Sequence, residues 1–196
     1  MMKMVRIAIA FLLLSASPAW AGEIKGTCLL RFVGISTLHD FSGTVPCQPF
    51  SAGLVKSADG GTTIPAVEVD VLVDGMDTEN ESRDDKLREM FQSDRFPRIH
   101  GTVRDIDVDG IRREIGKEGE GKAFFDLTLK VRDVERTIQA AVTNLREEGN
   151  QVGFDVEFPV SLKEFGLKAP SFLGIFRVRD KLTVTGNVLL EVSSKE

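Results

Sequence analysis

The sequence predicts a mainly β fold of about eight antiparallel strands with one short α-helix. Three observations predict it. Apolar residues recur at every second position over long stretches, the pattern of strands with one dry and one wet face. Turn-forming clusters such as Ala58-Asp59-Gly60-Gly61, Asp109-Gly110, Arg132-Asp133, Glu148-Gly149-Asn150 and Arg179-Asp180 separate these stretches, so neighbours should pair antiparallel. Within 77–103 alone, the apolar spacing is helical.

The N-terminus reads as a leader. Lys3 and Arg6 precede an apolar run, Ile7 to Leu14, that is too short to span a bilayer, and Ala19-Trp20-Ala21 places small residues where a signal peptidase reads. We expect cleavage after Ala21, a mature domain over 22–196, and export to the periplasm. No cysteine follows the small-residue site, which argues against a lipid anchor. About 175 residues remain, enough for one domain with a sizeable core.

Export places the chain where disulfides persist, and it holds two cysteines, Cys28 and Cys47. If the chain folds back between Thr37 and Leu38, the two face each other across a hairpin and can bridge; the other reading is two separately buried thiols. Val67, Val69, Val71 and Val73 then alternate with Glu68, Asp70 and Asp74.

Next comes the helix. Ser82 and Asp85 have the spacing of a capping box, Glu81, Asp84 and Asp85 suit the positive helix end, and Leu87, Met90 and Phe91 stack on one narrow face. Phe96-Pro97 forces the chain out extended, and Ile99 to Val103 resumes alternation. Gly116 to Gly121 reads as an exposed loop.

Phe125, Leu127, Leu129 and Val131 give another strand, Ile138, Ala140 and Val142 a weaker one, and Val152, Phe154, Val156, Phe158, Val160 and Leu162 the clearest of all. Pro159, on the wet side of that strand, points to a strand end, bulge or edge. Phe165 to Phe176 is an apolar, glycine-punctuated connection that either plugs the core or lips a cavity. Leu182, Val184, Val188, Leu190 and Val192 complete the set.

Strands with one dry face must bury it against a second sheet or by closing on themselves. Barrel and sandwich both satisfy this, and Gly186 on a dry face favours a bent, closed sheet.

Composition narrows function. The formal charge is −5, and loss of Lys3 and Arg6 with the leader takes it to −7, which argues against a nucleic-acid surface. No Gly-x-Ser-x-Gly or His-Glu-x-x-His motif occurs, and no phosphate-cradling glycine loop precedes the helix. His39 beside Asp40 has the residue types of an acid–base pair, but adjacent residues on a strand point to opposite faces, so a polar turn is the plainer reading. The two histidines, His39 and His100, have no metal-ligand spacing with the cysteines. We therefore expect no catalytic set, metal or cofactor.

Asp77-Thr78, Arg83-Asp84-Asp85-Lys86-Leu87, Phe91 and Arg95-Phe96-Pro97-Arg98-Ile99 together resemble the most distinctive block of the YceI-like family, secreted polyisoprenoid-binding proteins. Ser36 to Gly43, Asp126 to Leu129 with Val134 to Ile138, and Val160 to Gly166 agree in order and spacing. The resemblance implies a lipocalin-like antiparallel barrel with a helix against it, no membrane span, the option of a homodimer, and a lumen holding a polyisoprenoid or isoprenoid quinone. It carries no catalytic residues. The wall would then be the dry faces: Val69 and Val71; Phe125, Leu127 and Leu129; Val152, Phe154, Val156 and Phe158; Leu182 and Val184. Leu87, Met90 and Phe91 from the helix, with Phe172 and Phe176 from the late loop, would gate it. A phosphate head would meet Lys163, Lys168, Arg177 or Arg179 at the mouth.

Overall fold

The computed structural model describes residues 19–36, 40–57, 60–117, 121–168 and 178–194. Its elements are β1 (Ala19–Ser36), β2 (Phe41–Pro46), β3 (Phe50–Lys56), β4 (Thr62–Leu72), α1 (Glu81–Phe91), β5 (Arg98–Asp107), α2 (Val108–Ile115), β6 (Ala123–Val131), β7 (Val134–Glu148), β8 (Gln151–Ser161) and β9 (Val178–Ser194). Among the described residues the nine strands make one sheet, each paired antiparallel to its neighbour, and β1 meets β9 to close it. The alternatives of barrel and sandwich are thus resolved in favour of a barrel.

The barrel has eight positions around its girth because β2 and β3 share one. Both pair with the same edge of β1: β3 along Ala19 to Gly26, β2 along Leu29 to Gly34. Between them, Cys47 and Gln48 step across to β4, where Cys47 bridges Val71 and the Gln48 N–H donates to the Asp70 carbonyl at 2.8 Å. Cys47 donates its own N–H to the Cys28 carbonyl at 2.9 Å, and the two side chains form a disulfide. Their register is that of a hairpin folded between residues 37 and 38, as Leu29 opposite Pro46 and Leu30 opposite Val45 show.

Around this hairpin, glycine and phenylalanine exchange places. Phe32 stands opposite Gly43 and Gly34 opposite Phe41. A Cβ on Gly43 would lie 2.3 Å from the tip of the Phe32 ring and 2.8 Å from the Asp77 carbonyl oxygen, a backbone atom that cannot swing aside. At the far edge of β1, Gly186 also faces inward, with its missing Cβ 2.4 Å from Leu30, as a bent and closed wall requires. Pro159 lies in β8 beyond the last residue paired to β7, Glu157, so its absent N–H removes no bond on that side.

Among the described residues two α-helices are present where the sequence predicts one. α2 occupies the stretch read as an Asp109-Gly110 turn. Asp107 caps it by accepting from the Gly110 N–H at 2.8 Å, and Ile111 and Ile115, four apart, pack on the core. A glycine in the first turn, before helical spacing can accumulate, hid it. α1 starts earlier than Ser82: Asn80 is the cap, its side chain accepting from the Arg83 N–H at 3.0 Å. Asp84 then takes a different role from dipole complement, accepting from both the N–H and the hydroxyl of buried Thr78, at 3.0 and 2.6 Å. Arg83 donates to the Thr78 carbonyl at 2.9 Å. This pair clamps the helix onto the exit of β4, and Asp77 is tied to Thr44 of β2 by bonds of 2.8 and 2.9 Å.

Replacing Gly43 by alanine should cost about 1–3 kcal/mol through overpacking, seen as a lower urea midpoint, whereas Gly75→Ala, whose Cβ would meet only ordinary contacts at 3.8 Å, should stay near wild type. Changing both Cys28 and Cys47 to alanine should lower unfolding free energy by about 2–4 kcal/mol, measured by the same titration.

Candidate functional site: an apolar lumen with a helix at each end

Alternation turns one side of the strands into the inner wall, with β7 changing parity at one bulge. β4 contributes Val67, Val69 and Val71; β5 Ile99 and Val103; β6 Phe125, Leu127, Leu129 and Val131; β8 Val152, Phe154, Val156, Phe158 and Val160; β9 Leu182, Val184, Val188, Leu190 and Val192. These side chains surround a cavity of about 400 Å³. That falls within the size range of small-molecule sites. All fourteen expected wall and helix residues that lie among the described residues line it, Leu87, Met90 and Phe91 included. Phe172 and Phe176 lie outside the described residues.

The wall also holds residues that the sequence reading did not single out. Phe32, Phe41 and Phe50 line it, as do both cysteines of the disulfide, so the bridge faces the lumen rather than solvent. Phe165, 1% exposed, and Leu167, which open the connection read from the sequence as plugging the core or lipping a cavity, line it too, on the turn that follows β8. That turn is held by Asp180, which accepts from the Ser161 hydroxyl at 2.7 Å and the Lys163 N–H at 2.8 Å. These two hydrogen bonds, Ser161 foremost, hold the Asp180 carboxyl below the usual carboxylate range.

Strand direction puts the helices at opposite ends. α1 follows the end of β4, and its buried Leu87 and Phe91 join Val73, Met76, Leu162 and Phe165 in one apolar cluster. α2 follows the end of β5, where Ile24, Ala52 and Ile64 make a second, smaller cluster with Val108 beside it. Asp109 of α2 accepts from the Thr62 N–H at 2.8 Å, fastening the helix to β4. On its other side Arg112 reaches Glu147 of β7, 2.7 Å from Nη2 and 2.8 Å from Nε to the same carboxylate oxygen.

Glu147 belongs to the cavity wall because β7 carries a bulge. Val142 faces inward opposite Val156, yet Glu147, five residues on, also faces inward, opposite Val152. An extra residue between Thr143 and Arg146 shifts the parity, since one inserted residue sends every later side chain to the other face. Asn144, at φ 54°, adopts the left-handed conformation the bulge needs. Asp155 pins it from outside, accepting from Asn144 and from Asn187 of β9 at 2.7 Å each and from Arg146 at 3.3 Å. The Asn144 bond foremost, then Asn187 and Arg146, holds the Asp155 carboxyl below its ordinary range against the opposing effect of burial. Alternation alone reads Glu147 as an outer-face carboxylate, which is why it escaped the sequence analysis.

The other chemical candidates fall elsewhere. His39 lies outside the described residues. His100 sits on the outer face of β5, with Asp70 2.7 Å from Nδ1 and the Thr102 hydroxyl 3.2 Å from Nε2, away from the lumen. Among the described residues no three His, Cys, Asp or Glu side chains group as a metal site. Lys163, Lys168 and Arg179 are exposed and do not line the cavity, and Arg177 lies outside the described residues, so the expected phosphate cluster is not part of the wall.

A model of the YceI-like domain matches residues 31–191. The chain belongs to the YceI-like family. No curated protein matches it. Among solved structures the YceI-like fold recurs in BcnA of Burkholderia cenocepacia, 13% identical, with a TM-score of 0.60 over 83% of this chain and 95% of that one. It recurs also in a polyisoprenoid binding domain from Saccharophagus degradans implicated in plant cell wall breakdown, 14% identical, with a TM-score of 0.61 over 88% of this chain and 99% of that one. At such identities the likeness concerns the YceI-like backbone; the lumen described above is this chain's own.

Because the folded-state pKa of Asp155 is depressed, its contribution to stability is present above the unfolded carboxylate pKa and is lost as pH falls through the folded value. Asp155→Ala should therefore lower the urea midpoint at pH 7, and the gap from wild type should close as the pH is taken below about 4.

Proposed function

We propose that this chain is a periplasmic carrier for a long apolar lipid, a polyisoprenoid or an isoprenoid quinone, held in the barrel lumen, and that it performs no covalent chemistry on it. The observation that carries this reading is a cavity walled almost wholly by aliphatic and phenylalanine side chains, with a helix at each end. Such a wall offers little to polar solutes along most of its length and a favourable exchange to hydrocarbon. An apolar lumen left empty forfeits packing contacts along its surface. A ligand restores them: at about 0.8 kcal/mol per buried CH₂, each five-carbon prenyl unit contributes roughly 3–4 kcal/mol before ordering costs.

The polyisoprenoid binding described for the Saccharophagus domain, which shares the fold, supports the same ligand class here. Among the described residues no helix is long and apolar enough to cross a membrane. The basic and apolar leader over 1–21 supports export, with the carrier shielding its cargo in an aqueous compartment.

Native mass spectrometry of protein purified from its own host should show a bound lipid released on denaturation. Purified apo-protein should also take up a prenylated quinone or polyprenol and melt at higher temperature when loaded. Leu127→Trp, which fills the lumen from the middle of β6, should abolish uptake while the far-ultraviolet spectrum of the barrel persists. Preparations that neither carry nor take up any such lipid would overturn the reading in favour of a packed, non-binding barrel.

A further inference from the structure

We propose that the Arg112–Glu147 pair at the α2 end is the seat of the ligand's head group, and that it selects neutral, hydrogen-bonding heads over phosphates. This rests on the carrier reading and deepens it. Among the described residues that line the cavity, these two are the charged ones, and they stand together at one end. The other end presents Leu87, Phe91 and Phe165 to the lumen, all buried and all hydrocarbon.

The pair is a built feature. Glu147 faces inward only because β7 spends an extra residue at the bulge, with Asn144 in a left-handed conformation and Asp155 holding it from three sides. Bulges are a standard means of re-aiming a side chain at a functional position. On the opposing element, the Asp109 bond to Thr62 sets α2 so that Arg112 meets that carboxylate. Both side chains stay close to half exposed, at 46% and 44%, so a head group reaching them leaves hydrocarbon for a partly wet mouth.

Charge decides what that head can be. Arg112 is already neutralised by Glu147 at 2.7 Å and has Asp109 at 3.6 Å, while neighbouring Arg113 faces Asp107 at 3.5 Å. Among these five groups, three carboxylates stand against two guanidinium groups. A phosphate, carrying close to two negative charges, would have to break the Arg112–Glu147 pair and then sit beside the released carboxylate. A carbonyl or hydroxyl has no such cost. Arg112 directs Nε and Nη2 at one oxygen of Glu147, which leaves further N–H donors in its fork for a carbonyl and the second Glu147 oxygen for a hydroxyl.

The test compares four probes on the full mature chain: squalene, which has no head group, a polyprenol, a prenylated benzoquinone, and a polyprenyl phosphate of the polyprenol's chain length. Wild type should bind the quinone and the polyprenol at least about ten-fold more tightly than the phosphate. Glu147→Gln removes one negative charge and should narrow that ratio several-fold by strengthening phosphate binding. Arg112→Met should weaken quinone binding and leave squalene unchanged. If squalene binds but the phosphate binds as tightly as the polyprenol, or the ratio is unmoved in both variants, the head-group assignment is overturned and the carrier reading stands. If none of the four binds, both fall. Squalene binding in each variant serves as the check that its barrel is folded.

Discussion

The pairing of β1 with β9 governs everything else in the molecule. These strands, 18 and 17 residues long, run antiparallel with one register break and join the two ends of a sheet that would otherwise expose two edges. Closure satisfies their backbone hydrogen-bonding groups and turns a face into an interior. Once that interior exists, every second residue of every strand belongs to it. The wall's chemistry then follows from the sequence pattern.

The ends are solved differently. At the α1 end, Asp84 and Arg83 grip Thr78, Asp77 grips Thr44, and the helix lays Leu87 and Phe91 against buried aromatic and aliphatic neighbours. Asp77, Thr78, Arg83 and Asp84 thus clamp the helix, while Leu87 and Phe91 line the lumen. At the α2 end the fastening is the Thr62 N–H on the Asp109 carboxylate, the half-exposed Arg112–Glu147 ion pair, and the packing of Val108, Ile111 and Ile115. An exposed ion pair contributes little to stability.

Much of this was legible in the sequence for a simple reason: alternation is a period-two signal, and the barrel imposes it almost without exception. Val152 to Leu162 and Phe125 to Val131 reveal their inner residues by spacing alone, and the Cys28–Cys47 register follows from the fold-back point. What stayed hidden are departures from period. The bulge at Asn144 inverts the faces of Leu145 and Glu147, and nothing local marks it as different from Thr143. α2 is too short for helical spacing to outweigh an Asp-Gly turn signal. The cap of α1 fell to Asn80 because Ser82 already lies inside the helix. Each miss concerns a place where a few local hydrogen bonds, rather than a long pattern, decide the backbone.

The reciprocal glycine and phenylalanine positions on β1 and β2 have a meaning beyond packing. β1 offers Phe32 and Gly34 while β2 offers Gly43 and Phe41, so each strand is both key and lock to the other. A slip of two residues preserves the inward face but sets ring against ring in one direction and glycine against glycine in the other, a collision or a hole. The alignment that brings Cys28 opposite Cys47 is therefore specified by shape before any sulfur chemistry occurs. A larger residue at Gly34 would meet both the Phe41 ring, 2.4 Å from its Cβ position, and the Leu182 side chain at 2.8 Å, so a change at this one joint in β1 reaches into β2 and β9 together.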